Sequence, residues 1–469
     1  MSPTTCTGPS PVRASWTEPE PPEPRTAWER KLMDDTMIRA HHDLPVDATS
    51  AARAEATGLR LVRLDNDDAD EFAAWQRSVA RGFFDGEPTE ARRRAGMEFL
   101  GYRRLIAVLD PGAPDPQEPV ATFASWAGGL SVPGGEVPSC AISSVTVAPT
   151  HRRRGLARAM MEGELRRAVE AGLPVASLTV SESTLYGRYG FGSAASAASL
   201  TVDTKRAGWA GPVPAGRVDF ISRERWRALA PDVFDRVRAV RPGEFEMPGG
   251  HWDRFAGTRP DAEKPELLRA VQYADPAGTV QGLALYRIEE NEEDFARSSV
   301  EISSLIADGD DAYAALWRFF MEMDLIGTVR IAEQTLDEPL LWMVADRRAV
   351  TVTVRDHHYV RILDVPAALQ GRRYEAPGRF RIEVADPLGI AAGTFAMEVD
   401  AQGTASVREG DGDGESLPVR LGITELSALY LGEVSALTLA RAGRLSCPDP
   451  VALARTFRWS APANLSYWY

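Results

Sequence analysis

The sequence predicts an α/β protein with mixed sheets, in which one order of elements occurs twice and a third, β-rich domain follows. A strand, two helices, three antiparallel strands, a helix and a strand are predicted between residues 58 and 180. That order is typical of an α/β domain with one mixed sheet. Residues 218–360 repeat the order faintly, and residues 361–469 change to short alternating strands and two helices. A chain of 469 residues is long enough for roughly two to four domains.

The first domain is predicted to span residues 58–217, behind an extension of residues 1–57. The extension is rich in Pro, Glu, Thr and Ala, a composition that buries little, so we expect it to be flexible or loosely docked. Within the domain, the spacing of apolar residues indicates the elements. Strands are predicted at residues 58–64, 105–109, 120–126, the segment that ends at Pro149, and 175–180, and helices at 70–84, 89–100 and 155–171.

Residues 145–161 are the most informative segment, because they combine a strand, a turn and a helix. Apolar residues precede Pro149, which lacks an amide donor and ends the strand, and helical spacing begins at Gly155. Free N–H groups at a helix N-terminus attract phosphate oxygens, and Gly155 lets an anion come close to the backbone. Three consecutive arginines before Gly155 add positive charge. The turn is therefore predicted to bind an anionic cofactor; a basic surface loop before an ordinary helix is the alternative.

Composition bounds the partners and the compartment. The formal net charge of −14 argues against nucleic acid as the main partner and fits a polycationic substrate. Cys6, Cys140 and Cys447 lie far apart and form neither a disulfide nor a metal pattern. We therefore expect no metal and a reducing, cytoplasmic compartment. No run of about 18 apolar residues occurs, so no membrane span is predicted.

The turn at residues 152–157, RRRGLA, resembles the acyl-CoA signature of the Gcn5-related N-acetyltransferases, and the flanking strand and helix are the context that the signature requires. From about residue 58 onward the chain resembles their enhanced intracellular survival family. The resemblance rests on VTVAPTHRRRG at 145–155, Ser181-Glu182 followed by LYGRYGFG at 185–192, ALWR at 315–318, VPAAL at 365–369 and LYLG at 429–432.

The resemblance implies an active acetyltransferase domain at 58–217, a degenerate copy at 218–360 and a sterol-carrier-protein-like domain at 361–469. It also implies acetyl-CoA as co-substrate and a homohexamer. The second copy has ADGDD at 307–311, an acidic turn that repels a diphosphate, so we expect that half to bind no coenzyme A. Its helices and those of the last domain are predicted at 223–238, 310–323, 424–431 and 449–457, and strands at 267–273, 280–287, 300–306, 380–384 and 394–399.

The cofactor contacts follow partly from the strand and partly from the resemblance. The backbone groups of Val145 and Val147 can hydrogen-bond the pantetheine arm while their side chains pack in the core. The resemblance implies further cofactor-binding residues, which are Ser144, Thr146, Arg152, Arg153, Arg154, Gly155, Leu156, Ala157, Arg158, Ser181 and Glu182.

Transfer of an acetyl group to an amine requires that the amine lose a proton and the thiolate gain one. The resemblance implies Tyr186 as general acid, and an ordinary tyrosine pKa near 10 suits a thiolate. A core tyrosine with a capped hydroxyl is the alternative, and Tyr189 is the neighbour most easily confused with it. The resemblance implies the terminal carboxylate, here that of Tyr469, as the base. Burial in the aromatic ending SYWY would raise its pKa above about 3.3–3.7; simple docking of an apolar tail is the alternative.

The resemblance also implies an acceptor pocket at the turn between the first two helices of the domain and on the neighbouring strand. Its residues are Phe83, Phe84, Asp85, Glu87 and Trp126. Aromatic walls with carboxylates suit an acceptor with several ammonium groups. We therefore expect an N-acetyltransferase that acts directly, in a ternary complex, on aminoglycoside-like molecules, polyamines or lysine side chains. A lipid- or sterol-binding protein with a vestigial transferase fold is the alternative.

Overall fold

The computed structural model describes residues 35–412 and 414–469. The elements up to residue 221 are α1 (Asp35–Asp43), α2 (Ala48–Glu55), β1 (Arg60–Arg63), α3 (Ala69–Gly82), α4 (Glu90–Leu100), β2 (Arg104–Leu109), β3 (Ala121–Val132), β4 (Gly135–Val147), α5 (Leu156–Glu170), β5 (Val175–Thr179), α6 (Ser183–Tyr186), β6 (Gly192–Asp203), α7 (Thr204–Ala207) and β7 (Arg217–Ile221).

The second half and the last domain follow without a break. Their elements are α8 (Arg223–Arg238), α9 (Gly249–Ala256), β8 (Arg269–Ala274), β9 (Val280–Glu289), β10 (Ser298–Ala307), α10 (Asp310–Met321), β11 (Ile326–Gln334), α11 (Leu340–Met343), β12 (Val350–Ile362), α12 (Val365–Gln370), β13 (Gly378–Ala385), β14 (Gly393–Val399), β15 (Ala405–Glu409), β16 (Leu417–Gly422), α13 (Ile423–Leu429), α14 (Ala436–Arg441), β17 (Leu445–Ser446) and α15 (Pro450–Phe457).

One mixed sheet of twelve strands runs through both halves, in the order β1-β2-β3-β4-β5-β12-β6-β11-β10-β9-β8-β7. Strand β12 lies between two strands of the first half: His358 pairs with Thr179 of β5 on one side and with Ala195 of β6 on the other. The domain boundary predicted between residues 217 and 218 therefore does not separate two sheets, because strands from both sides of it belong to this one sheet. A second sheet, β15-β14-β13-β16-β17, forms the last domain.

Helix α3 shows how local sequence positions the first half. The side chain of Asp68 accepts hydrogen bonds from the N–H groups of Asp70 and Glu71 and so caps the helix. Two buried aromatic residues of the helix, Phe72 and Trp75, pack against the face of β2 and β3. This packing places the turn after α3 over one face of the sheet.

The mixed α/β fold class is confirmed, and the predicted helices at 70–84 and 89–100 differ by at most two residues from α3 and α4. Strand β3 extends six residues beyond the predicted 120–126 and forms a long hairpin with β4. Glycines at 128, 129, 134 and 135 resemble a turn region in the sequence, but only residues 133 and 134 form the turn between the strands. None of the helices within the described ranges is long and apolar enough to cross a membrane.

Residues 35–57 of the extension, which was predicted to be flexible or loosely docked, form α1 and α2 and are docked against the first domain rather than flexible. His41 and Ser50 are fully buried, and Asp47 pairs with Arg166 of α5 at 2.6 Å. The segment is held by apolar contacts as well, because Ile38, Val46 and Ala54 pack against the core of the first domain. Residues 1–34 lie outside the described residues, so the prediction for them stays a prediction.

Candidate active site

Strands β4 and β5 separate at the centre of the first half. They run parallel and pair from Ser139 with Val175 to Ile142 with Leu178, where the ladder ends. Beyond this point a bulge against β3 shifts the register of β4, and Ser144 has a φ of +54°. A bulge re-aims backbone groups and ends pairing. The predicted cofactor-binding residues Ser144, Val145, Thr146 and Val147 thus lie along the part of β4 that has left β5.

The turn at residues 152–157 that is predicted to bind an anion, here called the phosphate turn, joins this strand to α5. Arg153 and Gly155 have φ values of +63° and +77°, and Gly155 is the N-cap of the fifteen-residue helix. A side chain added at Gly155 would meet no atom within 4 Å, so the space over the turn is open. The N–H groups of a first helical turn have no partner inside the helix and are available to an anion.

A cavity of about 330 Å³ lies over this turn. Four predicted cofactor-binding residues line it together with Ala159 and two residues of α2; they are Arg154, Gly155, Leu156 and Arg158, with Arg53 and Ala54. Arg152, Arg153 and Ala157 belong to the same turn but not to the lining. The contribution of α2 was missed in the sequence, because Arg53 lies in the segment predicted to be flexible.

The two tyrosines near the end of β5 differ in their surroundings. Ser181 and Glu182 are exposed and lead into α6, where Tyr186 is half-buried beside Phe191. Burial raises the pKa of the Tyr186 hydroxyl, and the Glu182 carboxylate adds to the shift. Tyr189 is buried, and Arg158 and Glu162 of α5 both influence its pKa, which burial raises. Tyr189 therefore faces α5, whereas Tyr186 lies at the end of β5.

The aromatic end of the chain is buried beside the separated strands. The hydroxyl of Tyr469 lies 2.8 Å from Ser177 Oγ and 3.2 Å from His358 Nε2. Thr179 Oγ1 donates to the main-chain oxygen of Tyr469 at 3.1 Å. Thr179 is one residue beyond the last β4–β5 pair, so the last main-chain oxygen lies where the two strands part.

Buried polar groups hold Ser466 and Tyr467, and none of these groups is recognisable in the sequence. The carboxylate of Glu244, which is fully buried, accepts from the backbone N and the Oγ of Ser466. Burial raises the pKa of Glu244. The Tyr467 hydroxyl donates to the carbonyl of Phe245 at 3.1 Å. A single glutamate in a loop has no recognisable pattern, so no sequence signal could have found it.

The predicted acceptor residues share one face of the sheet but do not form one cluster. Thr122 and Trp126 lie on the same face of β3, because side chains of a strand alternate between its two faces. A side chain added at Gly82 would meet Thr146 at 2.5 Å. This contact places the turn that follows Gly82 at the end of β4. Within the described residues the turn has no ring contact with Trp126. It carries Phe83, Phe84, Asp85 and Glu87, all of them exposed.

Trp126 already contacts a cationic side chain of this protein, that of Arg103. The guanidinium of Arg103 lies 4.7 Å from the centroid of the Trp126 ring, and the Trp126 and Tyr469 rings are 5.3 Å apart. Trp126 is only 3 % exposed. The sequence predicts that the Trp126 ring is free to bind an ammonium group of the acceptor. The structure differs, because Arg103 occupies that cation–π position.

The matching turn of the second half stays acidic. Gly309 is the N-cap of α10, as Gly155 is of α5, but Asp310 and Asp311 occupy the first turn of α10. Asp308 forms an ion pair with Arg236. That this half binds no coenzyme A stays a prediction.

Comparison with known proteins finds three family models along the chain. Residues 63–194 and 243–362 match models described as "Acetyltransferase (GNAT) domain", and residues 365–464 match one described as "Sterol carrier protein domain". An uncharacterized N-acetyltransferase of Streptomyces avermitilis is 35% identical over 386 residues, 80% of this chain and 90% of that protein. The N-acetyltransferase Eis of Mycobacterium tuberculosis is 35% identical over 341 residues, 70% of this chain and 79% of that protein.

Solved structures agree. The crystal structure of Eis1 from Mycobacterium abscessus superposes with a TM-score of 0.73 at 25% identity, covering 88% of this chain and all of that one. A Gcn5-related N-acetyltransferase from Kribbella flavida has the same fold, with a TM-score of 0.67 at 22% identity and the same coverage. The chain therefore belongs to the enhanced intracellular survival family of Gcn5-related N-acetyltransferases.

Proposed function

We propose that this N-acetyltransferase passes the acetyl group of acetyl-CoA directly to a primary amine, in a ternary complex at the place where β4 and β5 separate. One observation carries the proposal: the main-chain oxygen of Tyr469 lies 3.1 Å from Thr179 Oγ1, at the end of the β4–β5 ladder. Acetyl-CoA supplies the activated acyl group. The open turn at Gly155 and the arginines around it fit its phosphates, and the part of β4 that no longer pairs with β5 fits its pantetheine arm.

In this proposal the α-carboxylate of Tyr469 takes the proton that the ammonium group of the acceptor must lose before it attacks. The aromatic rings of Trp126 and Phe245 lie within 5.5 Å of the Tyr469 ring and pack around the end of the chain. Tyr186 gives a proton to the departing sulfur. Because its pKa is raised, Tyr186 keeps this proton throughout the neutral range.

The acceptor proposed is polycationic: an aminoglycoside-like molecule, a polyamine or a lysine side chain. Two exposed carboxylates on the turn that borders β4 support this choice: Glu87, and Asp85, which also pairs with Arg92 at 2.9 Å. Arg103 already covers Trp126, so we assign the further ammonium groups of the acceptor to this turn rather than to the Trp126 ring. A homohexamer and a cytoplasmic location belong to the same proposal.

Residues 365–464 match a sterol carrier protein domain, but the packed interior of that domain argues against the lipid-binding alternative. Its interior between sheet and helices holds the aromatic side chains of Phe380 and Phe457 and the guanidinium of Arg372, which is 1% exposed. That guanidinium lies 4.6 Å from the Tyr374 ring and donates to the carbonyl of Phe457 at 2.8 Å. A lipid chain placed there would have to displace a hydrogen-bonded charge.

The test measures acetyl-CoA consumption with aminoglycosides, polyamines and lysine peptides, and with amines that carry a single charge as matched controls. We expect turnover with the polycations, and a strong reduction when Asp85 and Glu87 are both replaced by their amides. Equal rates with singly charged amines would refute the acceptor class. Failure to bind acetyl-CoA would refute the reaction itself.

A further inference from the structure

We propose that Arg53 of α2 binds a phosphate of coenzyme A together with the turn at the start of α5. This inference rests on the proposed use of acetyl-CoA and adds a residue that lies before the regions matching the acetyltransferase models, which begin at residue 63. It gives the docked part of the N-terminal extension a role in cofactor binding.

The position of Arg53 in the fold supports this role. Helix α2 lies directly against α5: a side chain added at Gly163 of α5 would meet Ser50 Oγ at 2.8 Å. Asp47, which caps α2, also pairs with Arg166 of α5. Ser50 and Ala54 are buried at this contact. The helix that carries Arg53 is thus fixed relative to the phosphate turn. Its packing against α5 holds Arg53 in the wall of the cavity.

The charges around Arg53 support the same role. Arg53 Nη1 donates to one oxygen of Glu162 and Arg158 Nε donates to the other, both at 2.5 Å. The Glu162 side chain is 5 % exposed, whereas those of Arg53 and Arg158 are 50% and 67% exposed. One buried carboxylate therefore orients two guanidiniums whose remaining N–H donors stay accessible.

Arg154 brings a third cation to the same cavity. Three arginines line the cavity and a single carboxylate pairs with two of them, so a positive excess faces the space over the turn. Guanidinium groups with free donors bind phosphate oxygens through charge-assisted hydrogen bonds. Coenzyme A offers two sources of phosphate oxygen, its diphosphate and its 3′-phosphate, and Arg53 reaches one of them.

The experiment is calorimetric titration of the full chain with coenzyme A and with 3′-dephospho-coenzyme A. Arg53→Met is expected to weaken coenzyme A binding about tenfold or more. Arg60→Met, at an exposed arginine of β1, is the matched control and is expected to bind normally. Loss of affinity for coenzyme A alone assigns Arg53 to the 3′-phosphate, and loss for both ligands assigns it to the diphosphate.

A second variant separates direct phosphate binding by Arg53 from an indirect effect, in which loss of Arg53 leaves the Glu162 carboxylate without that partner and able to repel the phosphate. Arg53→Met combined with Glu162→Gln removes that charge, and the weakening is expected to persist; recovery of normal affinity would overturn the inference. Normal affinity of Arg53→Met itself would also overturn it, while leaving the proposed function intact. If the unaltered protein binds no coenzyme A, the proposed function fails first.

Discussion

Thr179 Oγ1 donates a hydrogen bond of 3.1 Å to the main-chain oxygen of Tyr469. The two residues are 290 positions apart in the sequence, and Thr179 ends β5, the strand from which β4 separates at the proposed cofactor site. The end of the chain is therefore held at a defined place in the first half, which makes the proposed base testable.

Addition of one glycine after Tyr469 is expected to reduce kcat by about 10²-fold or more, because the carboxylate becomes an amide and moves away; a displacement of 1 Å alone can cost about 10²-fold. Tyr469→Phe is the control, since it keeps the carboxylate. Its kcat should change little, but its stability should fall by about 1–3 kcal/mol, because Ser177 and His358 lose a buried partner. Steady-state kinetics and urea unfolding measure the two effects. An enzyme extended by glycine that stays fully active would refute the terminal carboxylate as base.

Tyr186→Phe is expected to leave acetyl-CoA binding unchanged and to reduce kcat by about 10²–10⁴-fold, the usual range for loss of a general acid. Tyr189→Phe, at the buried neighbour that faces α5, is the control. In the unaltered enzyme, kcat should fall on the alkaline side only above pH of about 10, because the pKa of Tyr186 is raised from its ordinary value. A large loss in Tyr189→Phe instead of Tyr186→Phe would reverse the assignment.

Gly155→Asp is expected to weaken acetyl-CoA binding by more than tenfold, which is more than about 1.4 kcal/mol, because it puts a carboxylate over the phosphate turn. Gly172→Asp is a matched control at the other end of α5. Both glycines have a φ of +77°, and neither has an atom within 4 Å of an added side chain. The backbone strain should therefore be alike in both variants, and only Gly155→Asp should lose affinity in a calorimetric titration.

Glu244→Ala is expected to loosen the last residues of the chain, because Ser466 loses the acceptor of two hydrogen bonds. Carboxypeptidase should then release Tyr469 faster than from the unaltered protein, and kcat should fall while acetyl-CoA affinity stays the same. Glu244→Gln keeps an acceptor oxygen, so its rate of Tyr469 release should lie between the rates of the unaltered protein and of Glu244→Ala. Equal release of Tyr469 from all three proteins would show that Glu244 does not hold the tail.

Stability is expected to fall between pH 7 and pH 5. Burial lowers the pKa of His41 and His358 to about 3 and that of His357 to about 4, so these side chains are neutral in the folded protein. The unfolded chain binds protons near pH 6.5, which favours unfolding as pH decreases. Each histidine should contribute about 1.4 kcal/mol of destabilisation at pH 5.5. His41→Gln should flatten the pH dependence of the urea midpoint; an unchanged slope would contradict this.

The sequence predicted those parts of the molecule that local patterns encode. Periodic helices such as α3 and α10 and the strand–turn–helix around Gly155 were located to within a few residues. Contacts between distant residues were not predicted. Arg53 meets Glu162 across 109 positions, and Glu244 meets Ser466 across 222. A lone charged residue has no spacing or periodicity, so its role becomes visible only when folding brings the two segments together.

The position of β12 between β5 and β6 has a consequence for synthesis of the chain. Strand β6 ends at residue 203 and β12 at residue 362, which is 159 residues later. At translation rates of about 5–20 residues per second, roughly 8–32 s pass before β12 leaves the ribosome. During that time β5 and β6 present open edges that other nascent chains could pair with. Completion of the second half ends this exposure, so residues outside the proposed active site still determine whether the first half matures without aggregation.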